Sequence, residues 1–192
     1  MHALTLPHQP APARLQQTLP ASYGYFLLSL LVEHGHDEQD VLAGTGLVRQ
    51  QLQDQNQRIT GQHYALLLAN ALRISADPGI CYELGLRSQL TQHGFVGFGL
   101  MSCATLRDAI ELSQRYLQAR VPLFSSRFSE EGGQIVVNLR ETVPLGPLHE
   151  FTFNIVLVEL CCLFNRLISG QAEPGSWRSE IWVPFPEPPY YA

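Results

Sequence analysis

Histidines are the side chains best suited to chemistry near neutral pH, and the chain has seven of them. His34 and His36 have a spacing that could supply two metal ligands, but no third ligand follows at a recognisable distance, so helix-end positions explain them better. His93 stands at the start of a glycine-rich segment, where it either begins a helix or points a polar group into a cavity. His149 and Glu150 open a long apolar stretch. The helix dipole favours an acid there, and both could also face a pocket.

Arginines and aromatic rings are the other candidates for binding a ligand. Arg87 follows a short apolar helix, and it either binds a ligand carboxylate through two hydrogen bonds or caps the helix C-terminus. Arg140 and Glu141 end a predicted strand, where an ion pair at the rim is the simplest interpretation. Six aromatic residues fit a hydrophobic core better than the walls of a ligand site: Phe95, Phe98, Tyr116, Phe124, Phe128 and Phe151.

The sequence lacks the motifs of the common enzyme classes. No serine lies in a G-x-S-x-G elbow, and the segment GFVGFG, residues 94–99, has the wrong spacing for a cofactor loop and follows no predicted strand. All twelve positively charged residues are arginines, which removes a Schiff-base lysine and the lysine of a phosphate loop. We therefore predict a protein that is not an enzyme and that uses no cofactor or metal.

Composition indicates a single domain that does not bind nucleic acid by itself. The 192 residues carry a net charge of -5, so nothing suggests a surface that neutralises phosphates. Charged residues make up 15% of the chain, below a typical value of about 25%, which favours an oligomer or a part of a larger protein.

Cysteines and apolar stretches indicate a cytoplasmic protein. The four cysteines form no C-x-x-C pair and fit a reducing compartment. The N-terminal residues lack the apolar core of a signal peptide. The longest apolar stretch is interrupted by Asn154, Glu159 and Asn165, so we predict a buried helix and no membrane span.

The first half of the chain is patterned as helices. We predict a flexible tail over residues 1–20, a helix from residues 20–22 to the break at 34–36, and a short helix over DEQDVLA, residues 37–43. A glutamine-rich connector leads to a helix over ITGQHYALLLANALRIS, for which Thr60 is the predicted N-cap. The pair Asp77-Pro78 begins one more helix, over Ile80 to Leu86.

Gly94, Gly97 and Gly99 fall in a segment that is otherwise patterned as a helix. Because glycine costs helix stability, up to about 1 kcal/mol relative to alanine, we expect a close approach of this backbone to another helix or to the sheet. Thr105 and Asp108 then resemble a capping box at the start of an amphipathic helix.

The second half introduces strands. Alternation from Val121 predicts a hairpin that turns at Glu131–Gly133, followed by a long apolar helix over 148–169 and a further strand over Ser179–Pro184. Helices followed by a hairpin, a helix and a strand favour an α+β fold over a parallel α/β sheet, in one compact domain over residues 21–192.

The segment LGLRSQLTQHGFVGFGLMSCATLRDAIELSQRYLQ, with the early LAGTGL and the closing PEPPYYA, resembles the N-terminal effector-binding region in one branch of AraC-type transcription regulators. The resemblance covers residues 22–192 and is specific only when its pieces are taken together. The matching positions of the long segment are Leu84–Gly85, Thr91, His93–Gly94, Gly97, Thr105–Leu106, Ala109 and Arg115–Tyr116.

This resemblance implies a sensor that is followed, in the family, by a C-terminal domain of two helix-turn-helix motifs. We find no arginine-rich recognition helix here and interpret the chain as part of a longer regulator or, as an alternative, as a natural stand-alone sensor. The resemblance implies a small-molecule effector, an amino acid or related metabolite, in a cavity between helices and sheet. It also implies a cytoplasmic homodimer that contacts DNA only through the absent domain. The candidate ligand contacts are Arg87, His93, Phe95, Tyr116, Phe124, Arg140 and His149.

Two other functions fit the same sequence. A dimerisation module without a ligand is consistent with the low charge and the apolar helices, and side chains filling the cavity would favour it. A haem or gas sensor requires an axial histidine in the cavity, for which His93 and His149 are the nearest candidates.

Overall fold

The computed structural model describes residues 16–169, 180–183 and 185–186. These residues form a helical α+β domain with two small antiparallel sheets, which confirms the predicted fold class. The helices are α1 (Ala21–Glu33), α2 (Glu38–Leu42), α3 (Arg49–Gln53), α4 (Gly61–Ser75), α5 (Ile80–Arg87), α6 (Phe95–Met101), α7 (Leu106–Arg120) and α8 (His149–Ser169). The strands are β1 (Thr18–Pro20), β2 (Arg58–Thr60), β3 (Phe124–Glu131) and β4 (Gln134–Glu141). Short 3-10 turns, Leu90–His93 and Gly146–Leu148, precede α6 and α8.

The main core gathers buried apolar residues of α1, α4, α5 and α8, and α2 and α3 pack against α1. Helices α1 and α4 each bury an apolar stripe, as their period predicts, while α2 and α3 contribute one buried residue each, Val41 and Leu52. Gly24 lets α1 approach closely, because a Cβ there would lie 2.9 Å from Leu67 Cδ1 and 3.0 Å from Leu52 Cδ2. The predicted cap of α4 is confirmed: the Thr60 hydroxyl accepts a hydrogen bond from the amide of His63 at 3.2 Å.

The strands β1 and β2 pair antiparallel, with Leu19 opposite Ile59, and this pairing was not predicted. The predicted flexible tail over residues 1–20 needs a correction here, because residues 18–20 form a strand and Leu19 is fully buried. Residues 1–15 lie outside the described residues. The predicted glutamine-rich connector also contains helix α3, whose buried Leu52 anchors it to the core.

Helix α8 packs along α5, and its Phe153 and Phe164 contact Phe124 and Phe128 of the hairpin strand β3. The two helices approach most closely at Gly85, where an added Cβ would lie 2.7 Å from Val158 Cβ and 2.9 Å from the carbonyl oxygen of Ile155. The hairpin β3–β4 turns through Gly132 and Gly133, at φ of 58° and 78°. Two successive positive φ values are those of a type I′ turn, the turn that matches the twist of the strands.

The glycine-rich segment forms a tight turn and then α6. Gly94 adopts φ 59° and ψ -136°, which side chains rarely tolerate. A Cβ on Gly97 would lie 1.7 Å from the carbonyl oxygen of Leu90, so the backbone of α6 lies against the preceding 3-10 turn. The expected close approach is therefore confirmed for Gly97, and its partner is this turn. Thr105 caps α7 by accepting from the amide of Asp108 at 3.1 Å.

The end of the chain differs from expectation in one element. A strand was predicted over Ser179–Pro184, but the described residues 180–183 adopt no strand and are exposed, with Trp182 at 89% exposure. Residues 179 and 184 lie outside the described part of the chain. A strand needs a partner for its backbone groups, and neither sheet contributes one to residues 180–183.

One described segment, Gly146–Ile168, is long and apolar enough to cross a membrane, with a mean hydropathy of 1.7. Length and composition alone are weak evidence, because the core helix of a soluble protein passes the same test. The first half of α8 is such a core helix here: Phe151, Phe153 and Ile155 are 5–7% exposed.

Gly97→Ala tests the packing of α6. We expect a loss of about 3 kcal/mol in the free energy of unfolding, because the new methyl group would overlap a backbone carbonyl that has little freedom to move. Gly99→Ala is the matched control on the same helix. Its Cβ would meet only the flexible end of Leu112, at 2.9 Å, so we expect a change within about 1 kcal/mol. If urea unfolding showed the same loss of stability for Gly97→Ala and Gly99→Ala, the close packing at Gly97 would be contradicted.

Candidate functional site

A cavity of about 50 Å³ lies in the main core between α1, α4, α5, α8 and the start of β3. A water molecule needs roughly 10–15 Å³ on this measure, so the cavity holds a few waters or a group of a few heavy atoms. Its apolar walls are Leu19, Phe26, Leu84, Val121, Leu123, Phe124, Ile155 and Val156. Its polar lining is Tyr23, Tyr64, Ser88, Gln92, Thr152 and Glu159.

Glu159 is the centre of the polar side of the cavity. Its Oε1 accepts a hydrogen bond from the Ser88 hydroxyl at 2.5 Å and lies 3.3 Å from Nε2 of His93. Ser88 is placed by the end of α5, one residue past Arg87, and Glu159 by the middle of α8. The close packing of these two helices therefore brings together residues that are 71 positions apart.

His93 is buried behind this polar side, at 6% exposure, and does not line the cavity itself. Its Nδ1 lies 2.7 Å from the hydroxyl of Tyr23, and the two rings meet edge to face. The direction of the hydrogen bond between Tyr23 and His93 depends on the tautomer of the imidazole, and Nε2 of His93 faces the Glu159 carboxylate on the other side of the ring. These polar contacts thus join α1, the turn before α6, and α8.

Arg120 lies on the other side of Tyr23. Its guanidinium is 5.7 Å from the Tyr23 ring centroid, and Nη2 donates to the carbonyl of Gln92 at 3.0 Å. Burial raises the pKa of Tyr23 to about 12, with Arg120 acting in the opposite direction and the charge of Glu159 adding to the rise. Burial, reinforced by Glu159 and Tyr23, also holds the pKa of Tyr64 well above its usual value.

This arrangement is suited to binding more than to catalysis. In a Ser-His-Asp relay the imidazole lies between the hydroxyl and the carboxylate, so that it can accept the hydroxyl proton. Here the carboxylate of Glu159 lies between Ser88 and His93 and contacts both. Within the described residues, no group of three or more His, Cys, Asp or Glu side chains is placed to hold a metal ion.

The structure places two of the sequence-predicted contacts at this site. Phe124 lines the cavity at the start of β3, and its ring meets Phe153 at 5.0 Å between centroids. His93 lies immediately behind the lining, bound to Tyr23 and Glu159. Both ring nitrogens of His93 are engaged in these contacts and the cavity is small, so this geometry does not favour haem.

The other five predicted contacts lie outside the lining of the cavity. Arg87 pairs with the carboxylates of Glu33 and Glu83, at 2.5 and 2.6 Å, on the surface. The rings of Phe95 and Tyr116 contact each other, 6.5 Å between centroids, and are 72% and 38% exposed.

Arg140 and His149 lie at the hairpin, outside the cavity lining. Arg140 is exposed on β4. His149 Nδ1 lies 2.9 Å from the carboxylate of Glu141, and its ring packs on Phe153 at 4.6 Å between centroids. Glu141 therefore contacts this histidine, where the sequence suggested a rim ion pair with Arg140.

Tyr23, Tyr64, Ser88 and Glu159 were not predicted as site residues. Glu159 did carry a signal, as the one acidic residue within the long apolar stretch, but it served only as an argument against a membrane span. A single carboxylate on the buried face of a core helix requires polar partners, and that requirement points to a site.

Comparisons with known proteins agree on one kind of relative. Residues 35–192 match a family described as the arabinose-binding domain of AraC transcription regulators, N-terminal. The ornithine utilization regulator of Pseudomonas aeruginosa is 22% identical over 173 residues, which cover 90% of this chain and 49% of that protein. Uncharacterised helix-turn-helix transcriptional regulators of Mycobacterium bovis and Mycobacterium tuberculosis are 33% identical over 110 residues, 57% of this chain and 31% of theirs. The chain thus spans at most about half the length of these relatives.

Tyr23→Phe tests the buried hydrogen bond between Tyr23 and His93. We expect a loss of about 1–3 kcal/mol in the free energy of unfolding at pH 7, because the buried Nδ1 of His93 loses its partner. Tyr25→Phe is the control, two residues along α1: its hydroxyl accepts from Gln53 Nε2 at 3.2 Å in an exposed contact, so we expect a change below about 0.5 kcal/mol. Equal effects in urea unfolding would contradict the role of Tyr23.

Alkaline pH provides a second test on the same variant. Because the pKa of Tyr23 is raised from 10.0 to about 12 in the folded protein, its contribution is intact below pH 10 and is lost as the pH rises towards 12. By pH 11 the wild-type protein should lose about 1 kcal/mol that Tyr23→Phe does not lose. The stability difference between the two proteins should therefore shrink between pH 9 and pH 11. A constant difference would show that Tyr23 is not protected by burial.

Proposed function

The chain belongs to the family of N-terminal arabinose-binding domains of AraC transcription regulators, and we propose that it is a sensor that holds a small-molecule effector in the core cavity. The observation that supports this function is the polar side of the cavity: Ser88 donates a hydrogen bond to Glu159, and His93 contacts the same carboxylate from behind, all within an otherwise apolar core. Buried polar groups cost stability unless they are satisfied, and a cavity beside them offers a place where a ligand can contribute.

The proposed effector regulates the protein by binding two states with different affinities. A ligand can shift a conformational equilibrium only by its differential affinity for the two states. The cavity of about 50 Å³ admits only a small effector in the present conformation, so a larger one requires the surrounding helices to move apart. We propose that such a movement changes the position of the DNA-binding part, and that the domain performs no catalysis.

The relatives suggest the effector class and the domain organisation. The Pseudomonas aeruginosa relative is named for ornithine utilization, which supports an amino acid or related metabolite as the effector. Because the mycobacterial relatives are helix-turn-helix regulators about three times as long as their match, we propose that residues 21–192 act as the sensor of a cytoplasmic regulator. DNA binding then belongs to a separate C-terminal helix-turn-helix domain, in keeping with the net charge of -5.

Of the candidate contacts, we retain Phe124 and His93 as part of the proposed site, and we add Tyr23, Ser88 and Glu159. Phe124 and Tyr23 would touch the effector directly, since both line the cavity. His93 would act through Tyr23 and Glu159, which it contacts.

Homodimerisation is a second candidate function, favoured by the second half of α8. Leu157, Cys161 and Ile168 lie at helical spacing and are only half-buried, although they belong to an apolar helix. A second copy of the domain would cover them. We expect Leu157→Glu to convert a dimer into a monomer in size-exclusion chromatography with light scattering, while its thermal unfolding remains cooperative. A wild-type protein that is still monomeric at about 100 μM would contradict this candidate.

A thermal-shift screen of the purified chain against amino acids, polyamines, sugars and fatty acids tests the sensor function. A ligand at 100 times its dissociation constant should add about 2.7 kcal/mol to the free energy of unfolding and raise Tm accordingly. Val156→Phe should abolish the shift, because Val156 lines the cavity and the larger ring would fill it. Glu150→Phe, at an exposed position in the first turn of the same helix and outside the cavity lining, should retain the shift. If no compound raises Tm, the sensor function fails.

A further inference from the structure

We propose that the outer edge of strand β4 pairs with β4 of a second copy of the domain, so that the two hairpins join into one four-stranded antiparallel sheet. The inference rests on the homodimerisation proposed above and names the backbone groups that make the contact. Its starting point is that β4 has β3 as its one neighbouring strand in the part of the chain that the structure describes. A two-stranded hairpin is only marginally stable by itself, and further strands add stability.

The register of the hairpin identifies the backbone groups of β4 that face away from β3. The amide of Thr142 donates to the carbonyl of Leu123 at 2.9 Å, so these two residues form a hydrogen-bonded pair that continues the register of the strands. Hydrogen-bonded and non-hydrogen-bonded pairs alternate along an antiparallel ladder. Ile135, Val137 and Leu139 therefore belong to non-hydrogen-bonded pairs, and their N–H and C=O groups point away from β3.

The two edges of the hairpin differ in what covers them. Helix α7 lies beside β3, and its Gln114 donates to the outward carbonyl of Phe128 at 3.3 Å. On β4, the outward groups have no hydrogen-bond partner within the described chain. Residues 134–139 also include no charge and no proline, which are the usual devices that keep an edge strand from pairing with another chain. The β4 edge is therefore open to a further strand.

The edge of β4 is complementary to itself, which identifies a second copy as the partner. With Val137 on the two-fold axis, Ile135 lies opposite Leu139 of the second copy, and the two Val137 residues lie opposite each other. Each of these opposed pairs exchanges two hydrogen bonds, because all three residues direct their backbone groups outward. The side chains that meet are all apolar, and such cross-strand pairs stabilise a sheet.

The remaining residues of β4 are compatible with this register. Asn138 lies opposite Val136 of the second copy, and Arg140 lies opposite Gln134, so no two like charges meet. A register shifted by two residues would instead place the carboxylate of Glu141 opposite an apolar side chain. The sequence of the strand therefore favours the register that is centred on Val137.

The α8 surface proposed for dimerisation lies on the same flank of the domain. Phe153 and Phe164 of α8 contact β3, and Leu163 packs against α6. Helical spacing places Leu157 and Cys161 beyond the two phenylalanines, on the side away from Leu163. Because α6 packs on α7 and α7 lies beside β3, that side is the side of β4. One two-fold axis can therefore bury both the β4 edge and the half-buried residues of α8.

Val137→Pro tests the pairing, in size-exclusion chromatography with light scattering over a concentration series. The proline removes the outward amide on the two-fold axis, but the ladder with β3 loses no hydrogen bond, because Val137 is in a non-hydrogen-bonded pair. We expect the dissociation constant of the dimer to rise at least about tenfold, since the central pair loses both of its hydrogen bonds. Val137→Thr is the matched control. It keeps the amide and the branched shape, so the dissociation constant should change less than about threefold.

Hydrogen exchange on the wild-type protein is a second measurement, which decides the matter even if Val137→Pro does not fold. The amides of Ile135, Val137 and Leu139 should exchange more slowly as the protein concentration rises through the dissociation constant. The amide of Ser126, on the outer edge of β3, should exchange at a rate that does not depend on concentration. Unchanged dimerisation of a folded Val137→Pro would overturn the inference. Exchange at the three β4 amides that is independent of concentration would overturn it as well.

Failure of this inference can be separated from failure of homodimerisation. If the wild-type protein dimerises and Leu157→Glu dissociates it, but the β4 amides stay unprotected, the dimer uses α8 alone and the inference fails. If the β4 amides are protected in a monomeric protein, a segment of the same chain covers the edge, and the inference fails for that reason. A wild-type protein that is monomeric at about 100 μM contradicts both homodimerisation and the pairing of β4.

Discussion

The close packing of α5 against α8 is the constraint on which the candidate site depends. Gly85 allows it, since any side chain there would overlap Val158 and the backbone of Ile155. Ser88 follows Gly85 by three residues and Glu159 follows Val158 directly, so the same approach that brings the helices together also brings the hydroxyl within 2.5 Å of the carboxylate. A wider spacing would leave a carboxylate in an apolar core without this donor, at a cost of several kcal/mol.

A second close approach positions the imidazole. The α6 backbone lies against the carbonyl of Leu90 at Gly97, and this contact fixes the 3-10 turn that ends at His93. The turn carries Gln92 into the cavity lining and His93 behind it, where Tyr23 and Glu159 hold the ring from both sides. Glycines therefore determine the site indirectly, by setting how closely the elements that carry polar residues can approach.

Local patterns in the sequence were enough to predict most of the fold, but they were not enough to predict the residues of the site. Helical periodicity, the Thr60 cap and the Gly132–Gly133 turn each operate within a few residues, and each was predicted correctly. The site contacts join residues 70 and 71 positions apart, Tyr23 with His93 and Ser88 with Glu159, and no short-range pattern records such pairings. Arg87 is an example. The sequence predicted that it could bind a ligand carboxylate, but in the structure it pairs with the carboxylates of Glu33 and Glu83 of the protein itself.

The two proposed functions meet in α8. Glu159 faces the cavity, while Leu157 and Cys161, two positions before and after it, lie on the half-buried side of the same helix. A rigid helix transmits a shift at one face to the other, because its backbone hydrogen bonds do not stretch independently. A ligand that moved Glu159 towards or away from α5 would therefore also move the surface proposed for a second copy. Ligand binding and dimerisation would then both depend on the position of α8. Thermodynamic linkage requires that dimerisation changes the ligand affinity by the same factor by which the ligand changes the dimerisation affinity.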